Sequence, residues 1–200
     1  MESRWKRIVV GPDARGRSTV FETEQTNIQA QPGFFWRATL WGTKETPVDN
    51  TIEGDRSLEV ETREPFPGGM LYRAVEIPPD AHDADEHRRV FAQLNAAVGQ
   101  KIAPTAAESA RHPTMHRTDT LDCITCVIGE VYLVIDTDEL LMRPGDTVVI
   151  RGVNHAWSNR SDSPCLLVGA MIDAIPLSPE PAGAPERSKA ATGSLQAGGS

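Results

Sequence analysis

Apolar and polar residues alternate along much of this chain, in short runs that turn-forming residues separate. A period of two is typical of strands that are buried on one side. Several short strands at close spacing are typical of an antiparallel sandwich or barrel, so the pattern predicts an all-β fold. The clearest runs are LDCITCVI (121–128), EVYLVID (130–136), ELLMR (139–143), DTVVIRG (146–152) and CLLVGAMID (165–173).

The first half of the chain adds weaker strand signals and one change of period. Strands are predicted at 7–10, 18–28, 34–43 and 70–80, where β-branched and aromatic residues gather. In residues 83–98 the apolar side chains return at helical spacing after an acidic start, which predicts one inserted α-helix. We expect these N-terminal elements to pack on the strands of the second half.

Three segments show neither the alternation of a strand nor the spacing of a helix. Residues 42–69 are polar and rich in turn formers, which predicts a long surface loop, and residues 100–111 are expected to be a linker. Residues 176–200 have almost no large apolar side chain, which predicts a disordered tail. We therefore expect N-terminal strands, loop and helix in 1–110, a barrel core in 111–175, and the tail.

Composition excludes some classes of partner. A formal net charge of −8 argues against a nucleic-acid binder, because such proteins usually carry a basic surface. The longest apolar run falls far short of the ~20 residues that a membrane-spanning helix needs. The N-terminal residues contain no apolar segment of the kind that secretory signals have, so we expect a cytoplasmic protein whose partner is a small molecule.

The three cysteines include a C-x-x-C, at Cys123 and Cys126, that invites a redox or zinc interpretation. Both lie within a predicted strand, where residues three apart point to opposite faces. No second C-x-x-C completes a zinc site. We expect buried free thiols instead.

Three side chains between residues 116 and 155 are candidates for one metal site. On an extended strand His116 and Asp122 share a face, and His155 begins a later strand after a turn. Two imidazoles and one carboxylate are typical of non-haem Fe(II), and Mn, Ni, Co and Zn accept the same donors. Three protein ligands leave coordination positions open, as in catalytic rather than structural sites.

The stretch 112–159 resembles the two-motif core of the cupin superfamily, which would make the fold a jelly-roll barrel. The first motif of that family is H-x-H, then three or four residues, an acid, and six residues to a glycine. His116 takes the place of the first histidine, and Asp122, seven residues before Gly129, takes that of the acid. The second motif, here PGDTVVIRGVNHAWSN, is matched by Gly145, Gly152, His155 and Asn159.

Two departures from the family pattern change what the resemblance implies. Thr118 replaces the second histidine, and Asp122 is one methylene shorter than the usual glutamate. The implied ligand set is therefore two histidines and one carboxylate, with His112 as a candidate fourth ligand whose direction Pro113 makes hard to predict. In a metal-free alternative, acid–base catalysis would be carried out by His116, Asp122 and His155.

Residues near the predicted site are candidates for substrate binding. Arg151 could bind a substrate carboxylate or enolate, and Thr118 leaves room for substrate beside the metal. Trp157 could pack against a flat substrate or fill the core. Asn159 could contact a ligand, although a role in its turn fits the neighbouring NRSDSP better.

The resemblance is to small single-domain cupins encoded beside genes for polyketide and aromatic-compound pathways. It implies a metal-dependent tailoring enzyme of secondary metabolism, and the ligand set favours an oxidoreductase. A lyase or isomerase, of dehydratase or decarboxylase type, and a non-catalytic small-molecule binding cupin are the alternatives. The resemblance also implies a homodimer that pairs through its N-terminal strands.

Overall fold

The computed structural model describes residues 6–22, 27–31, 35–59, 63–80, 83, 85, 88–89, 91–93, 102 and 104–177. Nearly all of its regular structure is β-strand. In chain order the strands are β1 Val9–Pro12, β2 Ser18–Glu22, β3 Ile28–Gln31, β4 Phe35–Thr43, β5 Met70–Ile77, β6 Thr120–Ile128, β7 Val131–Ile135, β8 Glu139–Met142, β9 Thr147–Arg151, β10 His155–Ser158 and β11 Cys165–Asp173. A 3-10 turn spans Arg56–Glu59 and a helix, α1, spans Ala106–Arg111.

The strands form two main sheets and a hairpin, with antiparallel pairing throughout. The larger sheet has the order β3-β4-β5-β11-β6-β9, the smaller has β10-β7-β8, and β1 pairs with β2. Strand β11 lies between β5 and β6, so the larger sheet joins strands from both halves of the chain. The predicted all-β antiparallel fold is confirmed.

The core lies between the two main sheets and follows the alternation in the sequence. On β6 the side chains of Asp122, Ile124 and Cys126 face inward, and Leu167 of β11 is paired with Cys126. The apolar part of this interior comprises Cys126, Val131, Leu133, Met142, Ile150, Cys165 and Leu167. Burial of these side chains is the main source of stability for such a small sandwich.

The C-x-x-C cysteines lie on opposite faces of β6, as the strand prediction requires. Cys126 is buried, Cys123 is half-buried, and all three cysteines are free. Within the core the Sγ atoms of Cys126 and Cys165 are 3.8 Å apart. Burial raises the pKa of the Cys126 thiol and raises that of Cys165 to about 12, which keeps both thiols protonated and unreactive.

The linker prediction for residues 100–111 is wrong in its second half, because α1 is a helix. Thr105 caps it: the Thr105 side chain accepts from the backbone N–H of Glu108, and the Glu108 carboxylate accepts from the backbone N–H of Thr105. These two hydrogen bonds satisfy two backbone N–H groups at the start of the helix, so the sequence motif T-x-x-E indicates a helix here. Within the predicted helix 83–98, residues 85, 88–89 and 91–93 are helical and the others lie outside the described residues.

The predicted surface loop at 42–69 is more tightly packed than its polar composition indicates. Arg56 and Ser57 are buried, and Arg56 pairs with Glu45 at 2.7 Å. The buried Arg7 pairs with Asp55 at 2.6 Å, which fastens the N-terminal segment to this loop. Ion pairs of this kind satisfy the buried guanidinium groups, so a polar segment can pack closely.

The tail predicted to be disordered lies, from residue 178 onward, outside the described residues. In the described part of the chain, no helix is long and apolar enough to cross a membrane.

Candidate functional site

His116 and His155 are joined at the edge of the smaller sheet. Each backbone N–H donates to the carbonyl of the other, at 3.0 and 2.9 Å, in an isolated antiparallel bridge. Their imidazole rings lie with centroids 4.3 Å apart. The bridge brings the segment before β6 to the start of β10, so two of the three predicted ligands meet.

Both imidazoles are held in the same tautomer. The Nδ1 atom of His116 lies 2.8 Å from the Thr114 carbonyl oxygen, and that of His155 lies 3.0 Å from the Val153 carbonyl oxygen. A carbonyl oxygen only accepts, so each Nδ1 carries the proton and each Nε2 keeps its lone pair. Histidines that bind metals are oriented in this way by the hydrogen bond of their other nitrogen.

The electrostatic surroundings keep both histidines neutral. Burial lowers the pKa of His116 well below its usual value and lowers that of His155 to about 4, and the positive charge of Arg63 lowers both further. Both rings are therefore uncharged at neutral pH, and both Nε2 lone pairs are available to a Lewis acid.

Asp122 is the buried acid of the interior, with only 3% of its surface exposed. Burial raises its pKa to about 6, against the opposing effects of a hydrogen bond from Thr120 and the charges of Arg63 and Arg73. Its Oδ1 atom has no hydrogen-bond partner among the described residues. A buried carboxylate oxygen without a partner is costly, which fits an atom whose partner is a bound group.

The donor atoms of these residues fit a divalent transition metal, but the three side chains are farther apart than the ligands of an assembled metal site. In the described part of the chain no group of three or more His, Cys, Asp or Glu side chains is gathered closely enough to hold a metal ion. The structure therefore supplies an imidazole pair with free Nε2 atoms, and Asp122 on the interior face of β6. The three-ligand set stays a prediction.

Thr118 and Trp157 lie beside the histidines, as predicted. Thr118 is buried on the His116 face, with its hydroxyl 2.7 Å from that of Thr120. Trp157 follows His155 by two residues on β10, so it shares the same face, and its ring meets the His155 ring edge-on at 6.0 Å. Both positions border the imidazole pair.

Arg151 and His112 are placed differently from the other candidates. Arg151 is exposed and is paired with Leu121, whose side chain points away from the Asp122 face, so the structure does not bring Arg151 to the histidines. His112 caps the end of α1, and its Nδ1 accepts from the backbone N–H of Thr114 at 3.2 Å. A Nδ1 that accepts leaves the proton on Nε2, the opposite tautomer to that of the imidazole pair.

Asn159 holds a turn, as its neighbours in the sequence indicate. Its fully buried side chain donates to the carbonyls of Ile77 and Ser163, and its Oδ1 accepts from Ser161. Its backbone N–H donates to Asp80. These bonds join the end of β10 to the segment after β5, which is a structural role.

Three arginines, of which Arg73 is buried and Arg37 and Arg63 are half-buried, were missed by the sequence analysis. Arg73 of β5 is 4% exposed and donates to the Thr39 hydroxyl and to the backbone carbonyl of Arg63. Arg37 of β4 is paired with Val75, so it shares that inward face. Arg63 stacks over the ring of Phe91 at 5.6 Å. The signal for two of them was present, because Arg37 and Arg73 occupy inward positions of strands that were predicted correctly.

One family of known proteins matches the part of the chain that contains the imidazole pair and Asp122. The sequence pattern of the Cupin domain matches residues 100–171, which include both histidines and Asp122. Oryzines biosynthesis cluster protein J of Aspergillus oryzae is 30% identical over 127 residues, which are 60% of this chain and 68% of that protein. The chain belongs to the cupin superfamily.

Other relatives of this cupin come from fungi as well. Phomopsin biosynthesis cluster protein C' of Diaporthe leptostromiformis is 46% identical over 127 residues, 60% of this chain and 51% of that protein. The cupin thus spans about half the length of this relative. The cupin-domain-containing oxidoreductase srdB of Neurospora crassa is 24% identical over 178 residues, 86% of this chain and 74% of that protein.

Proposed function

We propose that this cupin is a metal-dependent tailoring enzyme of secondary metabolism, an oxidoreductase that acts on a small oxygenated molecule of polyketide or aromatic type. The observation that carries the proposal is the imidazole pair, whose ring centroids lie 4.3 Å apart and whose Nδ1 hydrogen bonds leave both Nε2 lone pairs available. The names of the relatives support the setting, since two belong to biosynthesis clusters and a third is called an oxidoreductase.

Three residues are assigned to the metal in this proposal. His116 and His155 would bind it through Nε2, and Asp122 would be the carboxylate ligand. Fe(II) is favoured because two histidines and one carboxylate are its usual set, while Mn, Ni, Co and Zn accept the same donors. When bound, such a metal supplies a Lewis acid for a substrate oxygen or a site for O₂.

The side chains around the pair bind the substrate and exclude water. Trp157 meets His155 edge-on, and the Phe91 ring lies 5.7 Å from that of His116, so the pair has aromatic neighbours on two sides. Apolar rings that exclude water strengthen every polar interaction inside the site. The hydroxyls of Thr118 and Thr120 offer hydrogen bonds to an oxygenated substrate.

A second candidate function, a lyase or isomerase, is favoured by the protonation of Asp122. Its pKa of about 6 lies close to neutral pH, where a carboxyl group exchanges protons most effectively as a general acid or base. A dehydratase or decarboxylase would use this proton transfer without any redox change. The non-catalytic alternative is a cupin that binds its ligand and releases it unchanged.

Elemental analysis of protein purified without chelators tests the metal. We expect about one transition-metal ion per chain in the wild type and a loss of at least nine-tenths of it in His116→Ala and in His155→Ala. His112→Ala is the matched control and should keep its metal, because the His112 ring is engaged in the turn with Thr114. Wild-type protein without metal, or histidine variants that keep it, would contradict the proposal.

Turnover of candidate polyketide and aromatic substrates in air and under nitrogen separates the reaction classes. An oxidoreductase that uses O₂ stops under nitrogen and consumes O₂ in step with product. A lyase or isomerase continues at the same rate. Substrate that binds but is recovered unchanged after long incubation would leave the binding protein as the only surviving alternative.

A further inference from the structure

A cavity of about 520 Å³ lies between the N-terminal segment, residues 6–10, and the neighbouring strands β4 and β5. None of the described residues that line it is a candidate of the proposed metal site. We propose that this cavity is a second binding site, which takes a small planar aromatic carboxylate. The inference goes beyond the proposed function and does not depend on it.

The alternation of side chains along β5 places the cavity on the outer side of the larger sheet. Leu71 and Arg73 are buried on the inward face, whereas Tyr72 between them points outward and is 41% exposed. Trp41 of β4 is paired with Tyr72, so the two aromatic side chains stand next to each other on the outer face. Asp122 lies on the inward face of the same sheet, so a ligand between these rings is separated from it by the sheet.

The N-terminal segment forms the opposite wall and is fastened by the buried Arg7. The Arg7 guanidinium donates to the Leu40 carbonyl at 3.2 Å and to the Ser57 hydroxyl at 2.9 Å, and it pairs with Asp55 at 2.6 Å. These bonds hold the segment against β4 and the loop that follows it. The cavity therefore has two fixed walls before any ligand binds, as is usual for small-molecule sites.

The lining of the cavity favours an aromatic ligand. It combines aromatic and aliphatic side chains with a few polar groups, and its described members include Trp41, Tyr72, Leu40, Ile8, Asn50 and Lys6. The volume falls within the range of roughly 300–1,000 Å³ that is typical of ligand sites. Two neighbouring aromatic side chains favour a planar ring, which can stack on one of them and meet the other edge-on.

The charge of the lining favours a carboxylate on that ring. Lys6 lines the cavity and is exposed, and none of the described lining residues is acidic. Arg7 lines it as well, but its guanidinium is paired with Asp55. A ligand with a single carboxylate is therefore attracted by Lys6 and meets no acidic side chain in the described lining.

NMR titration of the isotope-labelled protein with benzoate tests the inference. We expect the largest shifts in the backbone amides of residues 6–10, 40–41 and 72, and an affinity at least threefold higher than for two matched compounds. Benzyl alcohol keeps the ring without the charge, and cyclohexanecarboxylate keeps the charge without the aromatic ring. The absence of binding, or equal affinities for the three compounds, would overturn the assignment.

Two variants separate the contributions of charge and ring. Lys6→Gln should weaken benzoate binding about threefold and bring it to the level of benzyl alcohol, since an exposed ion pair contributes little more. Tyr72→Ala should weaken the binding of benzoate and of benzyl alcohol about tenfold. Arg151→Gln is the matched control and should bind like the wild type, because Arg151 is an exposed cation of β9 that does not line the cavity.

His116→Ala is titrated in the same way, so that this proposal and the proposed function can fail separately. We expect its benzoate affinity at the outer cavity to equal that of the wild type, whether or not the wild type contains metal. Binding that is lost in His116→Ala but unchanged in Lys6→Gln and Tyr72→Ala would place benzoate at the imidazole pair and overturn the second site. Circular dichroism confirms that each compared variant is folded.

Discussion

His155 and Asp122 respond to the same interior in opposite ways. Burial disfavours whichever form is charged, so it lowers the pKa of the histidine to about 4 and raises that of the aspartate to about 6. His116 shifts in the same direction as His155. At neutral pH the result is a pair of uncharged imidazoles and a carboxylate close to its titration point.

These shifts predict how the stability of the metal-free protein depends on pH. Between pH 4 and 6 His155 is neutral when folded but takes up a proton on unfolding, so its contribution to stability falls as the pH falls. The pKa of His116 is lowered as well, so its contribution changes in the same direction. Asp122 is protonated when folded and releases its proton on unfolding, so its contribution falls as the pH rises. The two histidines therefore oppose the aspartate, and their joint contribution to stability should rise from pH 4 to 6 while that of Asp122 falls by about 1.4 kcal/mol per pH unit.

Asp122→Asn isolates the aspartate in this balance. Asparagine releases no proton on unfolding, so it does not oppose the histidines. The slope of the free energy of unfolding against pH, between pH 4 and 6, should therefore increase by about 1.4 kcal/mol per pH unit. Urea unfolding followed by tryptophan fluorescence, after removal of metal with a chelator, measures both curves. All other groups are common to the two proteins, and parallel curves would show that Asp122 titrates normally.

The sequence predicts the faces of these residues better than their distances. Strand parity correctly places Thr118 and Asp122 on the inward side with His116. The alternation of side chains along a strand does not give the distance between two residues when the chain crosses from one sheet to the other. It crosses in this way between His116 and β6. Arg63 lies in a segment without any period, so no pattern in the sequence could place it beside the histidines.

At the scale of elements, helix α1 is tied to the loop that carries His155. The Glu108 carboxylate accepts from the backbone N–H and hydroxyl of Thr105, at 2.6 and 2.8 Å. Its other oxygen accepts from the Asn154 side chain at 2.5 Å, and Asn154 directly precedes His155. One carboxylate therefore closes the helix cap and positions the start of β10.

Removing that carboxylate should affect both stability and the site. We expect Glu108→Ala to lower the free energy of unfolding by about 1–2 kcal/mol, because the cap and the Asn154 bond are lost together. Metal affinity should fall as well, since His155 loses the support of the preceding residue. Urea unfolding and competition with a chelator measure the two effects.

Thr105→Ala is the matched variant for this element. It removes the hydroxyl that caps α1, at a cost of about 1 kcal/mol, but leaves Glu108 able to accept from Asn154. Its metal affinity should therefore stay near that of the wild type. Equal losses of metal affinity in the two variants would show that α1 as a whole, rather than the Glu108–Asn154 bond, supports His155.

Most elements follow from local pattern, and the exceptions have local causes. The strands from β4 onward lie within a few residues of their predicted bounds, because alternation and turn residues agree there. Helix α1 was missed because Pro104 and the short alanine-rich run look like a linker, although the Thr105–Glu108 spelling signals a cap. The segment predicted at 18–28 forms two strands, β2 and β3, rather than one.

At the scale of the whole molecule, the candidate site draws on both halves of the chain. The histidines and Asp122 lie within residues 100–171, which match the cupin pattern, whereas Arg37 and Arg73 come from β4 and β5 before it. The pairing of β5 with β11 and of β11 with β6 places Asp122 on the inward face of the larger sheet with these arginines, whereas the histidines lie at the edge of the smaller sheet. The family match therefore covers the three residues assigned to the metal but not these two arginines.

The homodimer expected from the resemblance has a candidate surface in the β1–β2 hairpin. Val10, Val20 and Phe21 are 55–59% exposed there, and only β2 pairs with β1 in the described structure. Large apolar side chains exposed together on one hairpin commonly mark an interaction site. We propose that a second copy of the chain covers this hairpin.

Analytical ultracentrifugation tests this proposal, with a dimer as the expected wild-type species. The double variant Val20→Lys, Phe21→Glu places charges on the hairpin and should shift the protein to monomer, because burying unpaired charge at an interface costs several kcal/mol. Val149→Glu is the matched control, since Val149 is 57% exposed on the outer face of β9, in a sheet to which the hairpin does not belong. A monomeric wild type, or a control that dissociates equally, would contradict dimerisation through the hairpin.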